Sequence, residues 1–273
     1  RINPSDPNSH VGNIPRVVGG MSEEAATLAY DFYSTLLQGK VKKINSIRSV
    51  EASKVLENIF RDVNIALMNE MAQAFYRMNI DVVEVIQAAS TKPFAFMPHW
   101  PGVGVGGHCI AVDPYYMIEK GRQAGFDHEF LKLARKINSN MPIYTVNLLQ
   151  NALNQLEMPT KGSKVAVYGL SYKPNIGDMR ESPSLDVIRK LRAEKNAQVK
   201  AYDPYIILQS DAASLDELIE WADVLLICTA HSEIIDYPVQ KLAKLKLVVD
   251  GRNCLDPESI RSLGVSYKGV GRY

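Results

Sequence analysis

The sequence has 273 residues, which at about 150 residues per domain points to two domains rather than one. Hydrophobic residues make up 46% and charged residues 22%, a globular balance that excludes wholesale disorder. A formal net charge of +1 argues against nucleic acid as the main partner. No uninterrupted apolar run approaches ~18 residues, so neither a membrane span nor a signal peptide is expected. The 3 cysteines, Cys109, Cys228 and Cys254, are widely spaced, which fits reduced thiols in a cytoplasmic protein.

The chain opens on a polar, turn-rich stretch without a methionine and reads as part of a longer gene product. Arg16 to Gly20 predicts a short strand running into a glycine turn. Ser22, followed by Glu23 and Glu24, has the form of an N-cap with acidic residues in the first helical turn. The apolar residues Ala26, Ala29, Tyr30, Tyr33, Leu36 and Leu37 continue that helix. A second strand is expected over Lys43 to Ser49, so residues 1–49 read as the β-α-β edge of a larger sheet.

Residues 50–158 read as a helical region. Val55, Ile59, Val63, Leu67, Met71 and Phe75 recur at intervals of four from Glu51 to about Asn79. Val82 to Ala89 predicts a short helix, and the Pro- and Gly-rich segment Lys92 to Gly107 a loop. Helices are expected over Tyr115 to Ala124 and over His128 to about Leu156, the latter kinked or restarted at Pro142. Broad apolar faces on such helices suggest a homodimer formed through them.

Residues 159–273 change character. Strands are predicted at Lys164 to Gly169, Val199 to Tyr202, Val224 to Cys228, Leu247 to Asp250 and Val265 to Val270. Helices alternate with them: one opening at Ser182-Pro183, one at the capping-box spacing Ser214 to Glu217, a short one over Val239 to Leu245, and a last one before the final strand. The alternation implies a doubly wound, mostly parallel sheet, which binds ligands at the carboxyl ends of its strands.

Three stretches could carry chemistry. In Pro101 to Tyr116, glycines 102, 104, 106 and 107 permit close backbone approach to a ligand. They precede Cys109, whose thiol is a strongly nucleophilic side chain, and, four residues on, Asp113. Taken alone, the stretch fits a glycine-rich connector with a structural cysteine at least as well. Lys54 and Asn58 share a helix face, as a pair that could stabilise an oxyanion or simply as a solvated surface pair. Lys173 and Arg180 follow a strand and precede a helix, where bases suit a diphosphate or merely solvent. Asp250-Gly-Arg252 ends another strand of the same sheet. His108 adjoins Cys109, and His10, His99, His128 and His231 show no ligand spacing, so no metal is expected.

Together these stretches resemble the nucleotide-sugar 6-dehydrogenase family, the UDP-glucose/UDP-N-acetylhexosamine dehydrogenases. The resemblance rests on Arg16 to Gly20, Glu51-x-x-Lys54-x-x-x-Asn58, Gly102 through Asp113, Tyr172-Lys173-Pro through Pro183, and Asp250-Gly-Arg252. Lys92 to Pro98 and Gly106 to Pro114 are similar to the branch acting on UDP-N-acetylglucosamine or UDP-N-acetylmannosamine. UDP-glucose oxidation, or a non-catalytic UDP-sugar-binding module, are the alternatives.

The resemblance implies a four-electron oxidation of a sugar C6 alcohol to a carboxylate with NAD as cofactor. It implies that Cys109 is the nucleophile, passing through a thiohemiacetal and a thioester. Lys54 and Asn58 would hold the oxyanion, and Asp113 would manage water and protons. Gly104, Gly106 and Gly107 would wrap the sugar, Tyr172, Lys173 and Arg252 would surround the UDP-sugar, and Arg180 would reach the cofactor phosphates. Residues 1–49 would be the remnant of the family's NAD-binding Rossmann domain, 50–158 the dimerisation region, and 159–273 a Rossmann-like UDP-sugar domain. With most of the NAD domain missing, the chain is expected to be inactive alone.

Overall fold

The computed structural model describes residues 10–37 and 39–273. They fall into two compact units, one ending at Phe60 and one running from Arg61 to Tyr273.

In the first unit, strand β1 (Arg16–Val18) pairs in parallel with β2 (Val41–Lys43), joined by helix α1 (Glu23–Leu36). Ser22 caps α1 as its spacing predicts, accepting from the Ala25 N–H at 3.2 Å. The expected strand over Lys43 to Ser49 does not form. The strand ends at Lys43, and α2 (Ile47–Arg77) begins within that stretch, with the Ser46 hydroxyl accepting from the Ser49 N–H. A serine three residues ahead of a free amide competes well for a helix start, and β-branched residues nearby did not outweigh it.

The second unit contains the rest of α2, then α3 (Val82–Ser90), α4 (His108–Gln123) and α5 (Glu129–Gln155). Asp81 caps α3 through the Val83 N–H, and its other oxygen accepts from Arg272 Nε at 2.8 Å, tying the end of the chain to this helix. Helix α4 starts at His108, seven residues before the predicted start. Pro114 lies inside this helix, at its seventh position, where it leaves the Ile110 carbonyl without its helical donor. Helix α5 runs through Pro142 without restarting.

The sheet comprises β3 (Lys164–Tyr168), β4 (Gln198–Tyr202), β5 (Val224–Ile227), β6 (Leu247–Asp250) and β7 (Ser266–Gly269), all parallel, in the order β4-β3-β5-β6-β7. Connecting helices are α6 (Pro183–Ala193), α7 (Leu215–Trp221), the single-turn α8 (Ser232–Ile235) and α9 (Pro257–Ser262). The helix expected over Val239 to Leu245 is a 3-10 turn confined to Val239–Leu242. Strands β5 and β6 are buried along their whole length, the mark of a sheet covered on both faces. Val165, Val167, Leu226 and Val249 face Leu149 and Leu153 of α5 and Val187 and Leu191 of α6. Ala166, Tyr168, Leu225, Ile227 and Val248 face Leu215, Leu218, Ile234 and Ile260. Helix α5 thus spans both layers: its first half packs among the helices, its second on the sheet. The fold is mixed α/β, a helical central region leading into a Rossmann-like parallel sheet, as the sequence pattern predicts.

Candidate active site

The strand order reverses direction at β3, whose neighbours are β4 and β5. Ligands of such sheets sit at the carboxyl ends of the strands flanking that switch point. The loop of residues 169–182, carrying Tyr172, Lys173 and Arg180, leaves β3 there. It is held by Asp203, which follows β4. One Asp203 oxygen accepts from the Leu170 N–H, the Ser171 N–H and the Ser171 hydroxyl, each at 2.8 Å. His231, after β5, donates from Nε2 to that same oxygen at 3.0 Å and accepts at Nδ1 from the Asn175 N–H at 2.9 Å. Both side chains are fully buried. Burial alone would raise the Asp203 pKa, but the His231 and Ser171 hydrogen bonds prevail and hold it at about 2.

The glycine segment Gly102–Gly107 packs against this loop and against the end of β6. A Cβ on Gly106 would lie 2.6 Å from the Glu181 carbonyl, and one on Gly107 2.7 Å from the Tyr172 ring. Gly107 also has φ +82°, and its N–H donates to the Arg180 carbonyl at 3.0 Å. Gly104, at φ +139°, faces Pro183 and the Asn138 carbonyl, which Pro142 leaves without a helical donor. Glycines 102, 104 and 107 stand at Gly-x-Gly-x-x-Gly spacing before a helix. No strand leads into them, so the segment is not a dinucleotide turn.

Cys109 lies in the first turn of α4, exposed, beside the positive end of the helix dipole. Asp113 is one turn further on the same face. Tyr172 is half-buried; burial first, then the charge of Asp178, push its hydroxyl pKa up, and Cys109 and Arg180 also act on it. Arg180 is exposed and grips Asp178 at 2.6 Å. Arg252, half-buried, donates from Nε to the Cys228 carbonyl at 2.7 Å. Glycines 102–107, Cys109, Tyr172, Arg180 and Arg252 are therefore one constellation, with Lys173 half-buried in the same loop. Lys54 and Asn58 belong to the first unit, where Lys54 Nζ donates to Asn58 Oδ1 at 3.3 Å and Asn58 is buried.

Sequence reasoning missed the residues that hold the loops. Asp203 and His231 stand directly after two predicted strands, a position that could have singled them out. Asp62, Asn69, Arg135 and Asn138, all buried on α2 and α5, carry no signal in apolar periodicity. Among the described residues, no helix is long and apolar enough to cross a membrane. Among them too, no group of three or more His, Cys, Asp or Glu could hold a metal ion.

Residues 48–140 match the UDP-glucose/GDP-mannose dehydrogenase family, central domain, and residues 166–257 the UDP binding domain of the same family. The chain belongs to this family. It is 36% identical over 260 residues to a UDP-N-acetyl-D-mannosamine dehydrogenase of Pyrococcus horikoshii, an alignment covering 94% of this chain and 60% of that protein. It is 37% identical over 257 residues to a UDP-N-acetyl-D-glucosamine 6-dehydrogenase of Pseudomonas aeruginosa, covering 90% and 59% respectively. The solved structure of the Pyrococcus horikoshii UDP-D-ManNAc dehydrogenase superposes with a TM-score of 0.86 at 35% identity, over 95% of this chain and 60% of that one. The chain thus spans about 60% of the length of these relatives.

Proposed function

We propose that this chain provides the UDP-sugar site and the nucleophile for NAD-dependent oxidation of a UDP-N-acetylhexosamine C6 alcohol to the carboxylate. The observation that carries the reading is the packing of the glycine segment and the Cys109 helix start against the 169–182 loop and Arg252, at the switch point of the sheet. The names of the relatives favour N-acetylmannosamine or N-acetylglucosamine as the sugar.

In this reading Arg252, Tyr172 and Lys173 bind the UDP-sugar, and the side-chain-free surface of Gly104, Gly106 and Gly107 accommodates the hexose. A first hydride loss converts the C6 alcohol to the aldehyde, which Cys109 Sγ attacks to form a thiohemiacetal. Hydride loss from the thiohemiacetal leaves a thioester on Cys109, which water, oriented by Asp113, cleaves to the carboxylate and the free thiol. NAD, when bound, supplies the hydride acceptor. The exposed Arg180 guanidinium has the chemistry to meet its phosphates and is the residue of this chain that would do so.

A homodimer through the central helices belongs to the same proposal. Leu67, Phe130, Leu133 and Ile143 on α2 and α5 are exposed in the single chain. Light scattering at a dimer's mass, lost on replacing Phe130 and Leu133 with polar residues, is the expected result.

Isothermal titration with UDP-N-acetylglucosamine, UDP-N-acetylmannosamine and UDP-glucose tests the substrate site. Saturable binding of an N-acetylhexosamine form, weakened in Arg252→Ala, supports it. Absence of binding by all three overturns it.

A further inference from the structure

A line of buried polar side chains crosses the helical part of the second unit and ends on the glycine segment. At its far end Arg135 Nη1 donates to Asp62 Oδ1 at 2.6 Å. Asn138 Nδ2 donates to the same Asp62 oxygen at 2.8 Å and to the Asp62 carbonyl at 3.0 Å. That fixes which way the Asn138 amide faces, so its Oδ1 accepts from Asn69 Nδ2 at 2.8 Å. The Asn69 amide is fixed in turn, and its Oδ1 accepts from the Gly102 N–H at 2.9 Å. Asp62, Asn69 and Asn138 are no more than 1% exposed and Arg135 is 6% exposed.

Burying four such groups gains nothing that apolar residues of the same size would not supply better. What the line does supply is direction. Each amide can point only one way, because the carboxylate at the end accepts and never donates. The line delivers one acceptor, Asn69 Oδ1, to one backbone amide at the entrance of the glycine segment. On its other side Gly102 abuts Arg252, where a Cβ would lie 2.6 Å from Nη1, and Arg252 is itself pinned to the Cys228 carbonyl.

We propose that Asn69, oriented by Asn138 and Asp62, is a positioning residue that sets the spacing between the glycine segment and Arg252. It thereby governs the grip on the hexose of a UDP-sugar rather than on its UDP. The proposal rests on the UDP-sugar reading of the site given above. It places Asn69 outside the reacting groups: it touches neither ligand nor nucleophile and acts only through the Gly102 amide.

The test compares UDP with UDP-N-acetylglucosamine as calorimetric ligands for the wild-type 273-residue chain and for Asn69→Ala. UDP counts the folded, competent sites in each sample, so a loss of UDP-sugar affinity alone cannot come from general loosening. We expect UDP to bind Asn69→Ala within twofold of wild type at unchanged stoichiometry, and UDP-N-acetylglucosamine to bind at least tenfold more weakly. Equal losses for both ligands, or no loss for either, would overturn the proposal. Should Asn69→Ala fail to fold, Asn69→Asp keeps the volume and the acceptor for Gly102 while losing the donor to Asn138. A selective loss for the UDP-sugar is expected there too, and a non-selective one overturns the proposal equally. Failure of the wild-type chain to bind either ligand is a different result, and it would remove the site reading itself.

Discussion

Arg252 Nη1 occupies the space that a side chain on residue 102 would need, 2.6 Å from the position of a Cβ there. The contact links a strand end of the sheet to the loop that leads into the start of α4, two places 150 residues apart in the chain.

It makes Arg252 hard to replace. Arg252→Ala is expected to weaken UDP-sugar binding tenfold or more, about 1.4 kcal/mol. Arg252→Lys should recover little, because one ammonium cannot bond the Cys228 carbonyl and present a planar fork to a ligand together. Titration calorimetry on both variants reads this directly, and a lysine variant with wild-type affinity would contradict it.

Gly107 combines a φ of +82° with a ring 2.7 Å from any Cβ. Gly107→Ala should cost at least ~1 kcal/mol in backbone strain and push Tyr172 aside. A lowered thermal midpoint with loss of the shift caused by UDP-N-acetylglucosamine is the expected pair of results.

The three thiols should separate by reactivity. Cys109 is exposed, whereas burial pushes the Cys228 thiol up to about 12 and also raises that of Cys254. Native protein treated with a chromogenic disulfide should show one fast thiol, absent in Cys109→Ser and slowed by bound UDP-sugar. A fast phase surviving in Cys109→Ser would misplace the nucleophile.

The buried ion pair of Asp62 and Arg135, 2.6 Å apart, makes removing one partner worse than removing both. Burial raises the Asp62 pKa despite the neighbouring guanidinium, and Asp62 Oδ2 has no partner. Asp62→Ala should cost about 3–5 kcal/mol in denaturant unfolding, because it strands a buried cation. Asp62→Leu combined with Arg135→Met should recover much of that loss.

Asp203 should shape the acid limb of stability. Its folded pKa, about 2, lies below the ordinary 3.8, so the stabilisation is present in full above pH ~4 and is lost as pH falls through about 2. The amount is on the order of 2 kcal/mol. Unfolding followed from pH 5 to pH 2 should show a slope that flattens in Asp203→Asn, which is less stable at neutral pH. An unchanged slope would mean that the His231 and Ser171 bonds do not hold this carboxylate.

Much of this arrangement is legible in the residues in order. Ser22, Ser182-Pro183 and Ser214 mark helix starts, because a cap is a local matter of a few neighbouring amides. The apolar runs Val224–Ile227 in β5 and Leu247 to Val249 in β6 announce a sheet covered on both faces. Less legible was α2. Of the apolar residues that repeat at intervals of four, Ile59 is buried, Val55, Val63, Met71 and Phe75 are half-buried and Leu67 is exposed, while Asp62, Ala66, Asn69 and Ala72 are fully buried. Polar residues enter a helix interface only when partners await them, and those partners, Arg135 and Asn138, lie some seventy residues further on.

By itself the sequence determined the class of fold, the family, and the identity of Cys109, the glycine segment and Arg252 as the residues to watch. Local spacing carries the class of fold, since caps and strand patterns act over a few residues, while the family and the residues to watch come from the resemblance of the motifs taken together. Only the tertiary structure decided that Gly102 stands between Asn69 and Arg252, that Gly107 is bonded to Arg180, and that Asp203 and His231 hold the 169–182 loop. Those relations depend on where the helices pack on the sheet, which the summed burial of distant apolar faces sets and no short stretch encodes.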